Sequence, residues 1–291
     1  MTWKFRVTVS SGEEFVVRFY PPGREHVLNY EPDVLRRCAE AGVPVPEVKI
    51  DSRTGPQAPR PYIMYRRIKG ETLLDRWPST SAPTRRSIAT QLIEHIYKLN
   101  TIPVEGFGEL ITATQAHNKS WIGFLHKSLV EGLDVARQHS TLSPDLIVNV
   151  GIILDHLDNL RLPSDGGLVW GDVSPANVIV NENDQVAGLI DFEGALGGDV
   201  ALNLGYCFAG YYPSGFYEAV LAGWPETITQ ELLLRIELYA VVRGMRIAKY
   251  AHKSLPGGKS RIPVEEFLPG FASAATRLCG KFRSETSRRI T

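Results

Sequence analysis

Two carboxylates and an amide stand close together in this chain, each beside a short apolar run. Leu168 to Trp170 lead through Gly171 into Asp172, and Asn177 follows five residues later. Val178 to Val180, a polar turn over Asn181 to Asp184 and the run Val186 to Ile190 then lead to Asp191. Short β-rich runs bounded by turn residues read as buried strands, and strands that deliver polar residues to one rim frame a site. The chemistry that needs three separated oxygen donors in this order is phosphoryl transfer. One carboxylate, Asp172, orients an acceptor hydroxyl and takes its proton, while Asn177 and Asp191 offer hard oxygens to Mg2+ on nucleotide phosphates. Taken singly, these residues also fit a capped turn or a strand end. Their combination in one segment is what points to a site.

Protein kinases carry H-R-D-x-x-x-x-N followed by D-F-G, and here Gly171-Asp172, Asn177 and Asp191-Phe192-Glu193 stand in the same order. The chain resembles the aminoglycoside phosphotransferase/choline kinase family of small-molecule kinases. Members of that family carry His-Gly-Asp, an Asn five residues on, Ile-Asp-Trp/Phe-Glu and a Gly-Asp pair, retained here as Gly198-Asp199. The resemblance spans nearly the whole chain and is specific over residues 168 to 199. It implies an α+β, protein-kinase-like two-lobed fold: a small antiparallel β lobe over 1–67, a hinge near residue 67, and a larger, mostly helical lobe over 68–291. It also implies ATP or GTP with Mg2+, Asp172 as base, and Asn177 and Asp191 as metal ligands. Ser174, Glu193 and Asp199 are secondary positions by the same resemblance, and Glu193 in place of the protein-kinase glycine agrees with the small-molecule branch. Trp170 occupies the family's histidine position. An indole donates but does not accept, so the expected consequence is a weaker brace on the metal-binding loop.

The elements that must position these residues follow from periodicity. Lys4 to Val9 and Phe15 to Tyr20 alternate about a glycine-containing turn, Ser10 to Glu13, and predict a hairpin. By resemblance its second strand carries the phosphate-binding base, and Arg18 is the candidate; a guanidinium is a permanent, bidentate phosphate partner. An exposed strand arginine is the plainer alternative. A helix is predicted from about Tyr30 to Ala41, ended by Gly42. Its Glu31 resembles the family glutamate that holds the base, or simply favours a helix N-terminus. Glu47 to Ile50 and Tyr62 to Ile68 predict two further strands. Met64, Arg66 and Ile68 fall in the segment where, by resemblance, backbone groups meet the purine. The family's first strand and glycine-rich phosphate loop have no counterpart before Trp3. Either that loop is absent, or it is encoded upstream, or the Ser10 to Glu13 turn is the cover.

Beyond the hinge, Gly70 to Leu73 resembles the family's post-hinge segment. Helical spacing predicts helices over Pro83 to Asn100, Asn118 to His139, Ser143 to Leu160, about Thr227 to Lys253, and Pro263 to Phe282. His95 reads as packing or surface. Gly106-Phe-Gly108 lacks the third glycine of a dinucleotide fingerprint, and Gly258-Lys259-Ser260 lacks the leading glycine of a P-loop. Between Asp199 and Trp224 the chain is rich in aromatics, which fit either a cage for a quaternary ammonium or ordinary core. By resemblance the acceptor pocket lies here and in the following helix, with Tyr206, Tyr239 and Arg243 as candidates. Arg243, Arg246 and the basic tail from Arg283 to Arg289 weigh against a polycationic acceptor, and a neutral or anionic hydroxyl compound fits better.

A chain of 291 residues can bury two cores. Its 32 basic residues balance 32 acidic ones, so no net charge favours nucleic acid or lipid. Cys38, Cys207 and Cys279 form no C-x-x-C pair, which supports neither a disulfide framework nor a zinc site and makes a reducing cytoplasm the expected compartment. No apolar run reaches membrane-spanning length, so the sequon at Asn118 carries no meaning. The expected partner is a small-molecule hydroxyl acceptor, without nucleic acid or membrane. The rival readings are a catalytically degenerate nucleotide-binding regulatory protein of the same fold and a protein kinase. The latter lacks the Ala-Pro-Glu that closes an activation segment.

Overall fold

The computed structural model describes residues 3–251 and 264–290. The segment Pro256 to Ser260, read as a loop, lies outside them, as do the side chains of residues 285–290 of the basic tail. The chain divides into two compact units, Met1–His117 with Gly166–Gly198, and Asn118–Asp165 with Asp199–Thr291.

The first unit begins with β1 (Trp3–Thr8) and β2 (Glu14–Phe19), the expected hairpin. Its turn closes through Val9 N–H to Glu13 O and Gly12 N–H to Val9 O. Helix α1 (Glu31–Glu40) follows, with Pro32 in its first turn and Val34, Leu35 and Cys38 buried. Strands β3 (Val48–Asp51) and β4 (Tyr62–Arg66) complete an antiparallel sheet in the order β1-β2-β4-β3. The hairpin register sets Lys4 opposite Arg18 and Phe5 opposite Val17. Because side chains alternate between faces, Lys4 and Arg18 share one face of this sheet.

Next come β5 (Glu71–Thr72), α2 (Leu73–Arg76) and α3 (Ala82–Asn100). Thr72 caps α2 and Ser81 caps α3 through their side-chain oxygens. The apolar stripe of α3, Ile88, Leu92, Ile93, Ile96 and Leu99, is buried as its spacing requires. Strands β6 (Phe107–Thr112) and β7 (Gln115–Asn118) form a hairpin that the sequence did not announce. The helix expected from Asn118 therefore starts only at Trp121. Strands β8 (Gly167–Val169), β9 (Val178–Val180), β10 (Val186–Leu189) and β11 (Leu196–Gly198) close the unit. They belong to two small sheets, β10-β9-β5 and β7-β6-β11-β8. The chain beyond residue 67 thus holds more strand than expected. Of the added strands β6, β7 and β11, β7 is polar and β11 glycine-rich, and both take their order from their partners.

The second unit is helical: α4 (Trp121–His139), α5 (Pro144–Asp155), α6 (Ala201–Tyr211), α7 (Phe216–Ala222), α8 (Gln230–Ala251), α9 (Val264–Phe267) and α10 (Pro269–Ile290). The last predicted helix is interrupted at Leu268. Helix α8 is the centre on which α4, α6 and α10 pack. Tyr206, Phe208, Phe216, Tyr217 and Trp224 are all buried, as core packing requires, while Tyr211 and Tyr212 are half-buried. No described helix is long and apolar enough to cross a membrane.

Candidate functional site

The predicted hairpin is anchored at its base. The Asn100 side-chain amide, at the end of α3, donates to the carbonyls of Gly198 (3.0 Å) and Leu168 (3.4 Å). Gly167 admits no side chain, since a Cβ there would lie 1.8 Å from the Asn100 carbonyl oxygen. At the outer end of β8, Trp170 is fully buried. Its Nε1–H donates to the Ile190 carbonyl at 3.1 Å, and its ring stacks on Phe192 at 5.9 Å. Trp170 thus braces the segment before Asp191 through donation alone, the one function that a bond to a backbone oxygen requires.

Gly171 has φ +77°, and a Cβ at this position would meet the Gly194 carbonyl oxygen at 2.2 Å. Glycine is required on both counts, and the chain after Trp170 thus lies directly against the chain after Asp191. Asp172 is half-buried. Asn177 Nδ2 donates to Asp172 Oδ2 at 2.8 Å and to the Asp172 carbonyl at 3.3 Å. Ser174 accepts from the Ala176 N–H at 3.2 Å and so starts the single turn Pro175–Asn177. The Ile190 N–H donates to the Asn177 carbonyl at 2.9 Å. Asp172, Ser174, Asn177 and the strand end leading into Asp191 are therefore one hydrogen-bonded assembly.

Asp191 lies in the left-handed region at φ +65°, a conformation uncommon outside glycine and tolerated by aspartate. Its carboxylate meets two cations, Arg18 Nη1 at 3.1 Å from Oδ1 and Lys4 Nζ at 3.2 Å from Oδ2. Arg18 is 1% exposed and also binds Glu31 Oε1 through Nη1 (2.8 Å) and Glu193 Oε2 through Nη2 (2.5 Å). Its guanidinium carbon sits 5.2 Å from the centre of the Tyr20 ring. Glu31 receives a second bond from the Tyr20 hydroxyl at 2.6 Å, and the Tyr30 hydroxyl donates to the Glu193 carbonyl at 2.6 Å. Burial opposes the charge on Arg18, yet the carboxylates of Glu31, Asp191 and Glu193 hold its pKa above the ordinary value. Burial raises the Glu31 carboxyl, with Arg18 acting in the opposite sense. Glu31 is thus an internal partner of Arg18 rather than merely a favourable charge at a helix start, and Arg18 is no exposed strand charge.

The remaining predicted residues are placed as follows. Met64 is half-buried on β4 and faces Val17 of β2 in register. Arg66 is exposed and ion-paired with Glu13 and Glu47. The Ile68 side chain covers Gly188 of β10, where a Cβ would approach it to 2.2 Å. In the second unit, buried Asp199 accepts from Arg235 Nη1 at 2.9 Å, from the Tyr239 hydroxyl at 2.6 Å and from the Ala201 N–H at 3.0 Å. Tyr239 in turn accepts from Trp121 Nε1 at 2.9 Å. Arg243 lies over the Tyr206 ring at 4.9 Å. Burial keeps the His95 imidazole below its ordinary pKa on the half-buried side of α3.

Lys4, Tyr20, Tyr30 and Asn100 were missed at the sequence level. For Lys4 a signal existed: a hairpin turning at Ser10 to Glu13 places it across from Arg18. Among the described residues no group of three or more His, Cys, Asp or Glu side chains is arranged to hold a metal. Mg2+ fits this donor set nonetheless, because it takes one or two protein oxygens and completes its shell with phosphate and water.

A family profile described as the phosphotransferase enzyme family matches residues 3–237. The chain belongs to that family and is a small-molecule phosphotransferase. Its fold is that of the aminoglycoside phosphotransferases. A thermostable mutant of aminoglycoside phosphotransferase APH(4)-Ia, in ternary complex with AMP-PNP and hygromycin B, superposes with a TM-score of 0.68 at 19% identity, covering 98% of this chain and 90% of that one. ADP-bound APH(2'')-Ib gives 0.61 at 16% identity, with 97% and 94% covered. The GDP complex of aminoglycoside 2'-phosphotransferase-IIIa gives 0.64 at 17% identity, with 97% and 90% covered. No curated protein matches the chain significantly.

Proposed function

We propose that this protein transfers the γ-phosphoryl group of ATP or GTP to a hydroxyl of a small molecule, with Asp172 as the base. The observation that carries this reading is the hydrogen-bonded assembly in which Asn177 holds Asp172 while the turn it belongs to receives the strand end before Asp191. Asp172 orients the acceptor hydroxyl and takes its proton as the oxygen attacks. Asn177 and Asp191 would hold Mg2+, which when bound would neutralise charge on the phosphates and orient them. The Asn177 side chain uses its nitrogen on Asp172, so its carbonyl oxygen is the atom left for the ion. Arg18, fixed by Glu31, adds positive charge beside Asp191, and Ser174 and Glu193 keep the two loops in place. The segment with Met64, Arg66 and Ile68 contacts the purine, within a nucleotide lobe over 1–67. Tyr206, Arg243 and the Asp199–Tyr239 pair shape the acceptor side, and the location is cytoplasmic, a reading supported by three free cysteines. The solved structures named above hold adenine or guanine nucleotides, and one holds hygromycin B, which supports both nucleotides as candidates and a small-molecule acceptor. The charges of Arg243 and Arg246 favour a neutral or anionic acceptor.

The test is calorimetric titration of Mg-ATP and Mg-GTP into the wild type, Asp191→Ala and Asp172→Asn, followed by an acceptor screen. Binding is expected for the wild type and for Asp172→Asn, and loss of metal-dependent binding for Asp191→Ala. Asparagine can still accept the Asn177 bond, so Asp172→Asn should fold normally while turnover falls by about 10²–10⁴. Wild-type turnover in Asp172→Asn would remove the base. Absence of binding to either nucleotide would favour a degenerate member of the family.

A further inference from the structure

Lys4 and Arg18 face each other across β1 and β2 and converge on the same carboxylate. Like charges directly opposite on a sheet repel unless an anion lies between them, and Asp191 is that anion. The two cations differ in their freedom. Arg18 is 1% exposed, and its two terminal nitrogens are engaged by Glu31, Asp191 and Glu193. Its Nε is buried. Reaching outward would leave Glu31 as a buried carboxylate without its cation, a costly change. Lys4 is 43% exposed, carries a compact charge on a flexible stem, and makes a partly exposed ion pair of the weakly held kind.

We infer that Lys4, in place of the Arg18 that the resemblance suggests, is the residue that contacts the phosphates of the nucleoside triphosphate, and that Arg18 is the positioning residue behind it. The inference deepens the nucleotide reading above and rests on it. Were Asp191 to hold a divalent cation, the Lys4 ammonium would be without its carboxylate partner and in need of an anion, while Arg18 would keep Glu31 and Glu193. A polyphosphate supplies that anion. Lys4 then holds the phosphates from the hairpin side.

The experiment compares the wild type, Lys4→Gln and Lys4→Arg by calorimetry with Mg-ATP, Mg-GTP, and the nucleosides adenosine and guanosine, with thermal melts alongside. Lys4→Gln should bind the preferred triphosphate about tenfold or more weakly, the loss of one charge-assisted bond. Lys4→Arg should recover most of that loss. All three proteins should bind the matching nucleoside alike and melt together. Wild-type triphosphate affinity in Lys4→Gln would overturn the assignment of Lys4 and leave the nucleotide reading standing. Equal weakening toward nucleoside and triphosphate would also overturn it, because the effect would then be structural. A wild type that binds neither triphosphate would overturn the nucleotide reading, and the role of Lys4 with it.

Discussion

At the scale of single residues, the geometry turns on which donor meets which acceptor. Trp170 is the clearest case. A large apolar side chain at the family's histidine position holds the Ile190 carbonyl, one residue before Asp191, through its single N–H. Trp170→Phe keeps most of the packing on Phe192 and leaves that carbonyl without its bond. An unfolding titration should show a loss of about 1–3 kcal/mol, and turnover should fall as the Asp191 turn loosens. Unchanged stability would mean that stacking alone secures the turn. Asp172, Asn177 and Asp191 were legible in the sequence because their types and spacing are themselves the signal. The brace from Trp170 was not, since its partner is a backbone oxygen and any residue can provide one.

At the scale of elements, position depends on how closely backbones approach. Strand β8 lies against the end of α3 with no space at Gly167 for even a methyl group. Gly167→Ala should therefore cost about 1–3 kcal/mol or more through overpacking, read as a lower midpoint in urea. A variant as stable as the wild type would mean that the α3 terminus can withdraw. The hairpin β1–β2, helix α1 and helix α3 were readable from alternation, helical spacing and the glycine stops. Strands β6, β7 and β11 were not. Gln115–Asn118 carries little apolar signal, and Leu196–Gly198 is two-thirds glycine, so both are strands only because β6 and β8 offer hydrogen bonds to complete.

At the scale of the whole molecule, each compact unit has its own buried core, and the three cysteines lie inside these cores. Burial pushes the Cys38 thiol up to about 12 and Cys207 well above its ordinary value. A folded-state pKa above the unfolded one contributes stability that is complete below about 9 and is lost as the pH rises toward about 12 for Cys38. At pH 8 the native protein should resist iodoacetamide, with all three thiols labelled once it is unfolded in guanidinium, as mass spectrometry would report. Rapid labelling of Cys38 or Cys207 in the native state would contradict the tight packing of its core. The sequence by itself determined the order of the catalytic candidates, the pattern of the main helices and the first hairpin, and the resemblance to small-molecule kinases. These depend on local spacing, which a linear chain displays directly. Only the tertiary structure decided that Arg18 is an internal cation shared by Glu31, Asp191 and Glu193, that Lys4 is the outward one, and that Tyr206, Phe208, Phe216 and Tyr217 are buried. Burial and ion pairing depend on which distant segments meet, and residues 18 and 191 meet only after the chain has folded.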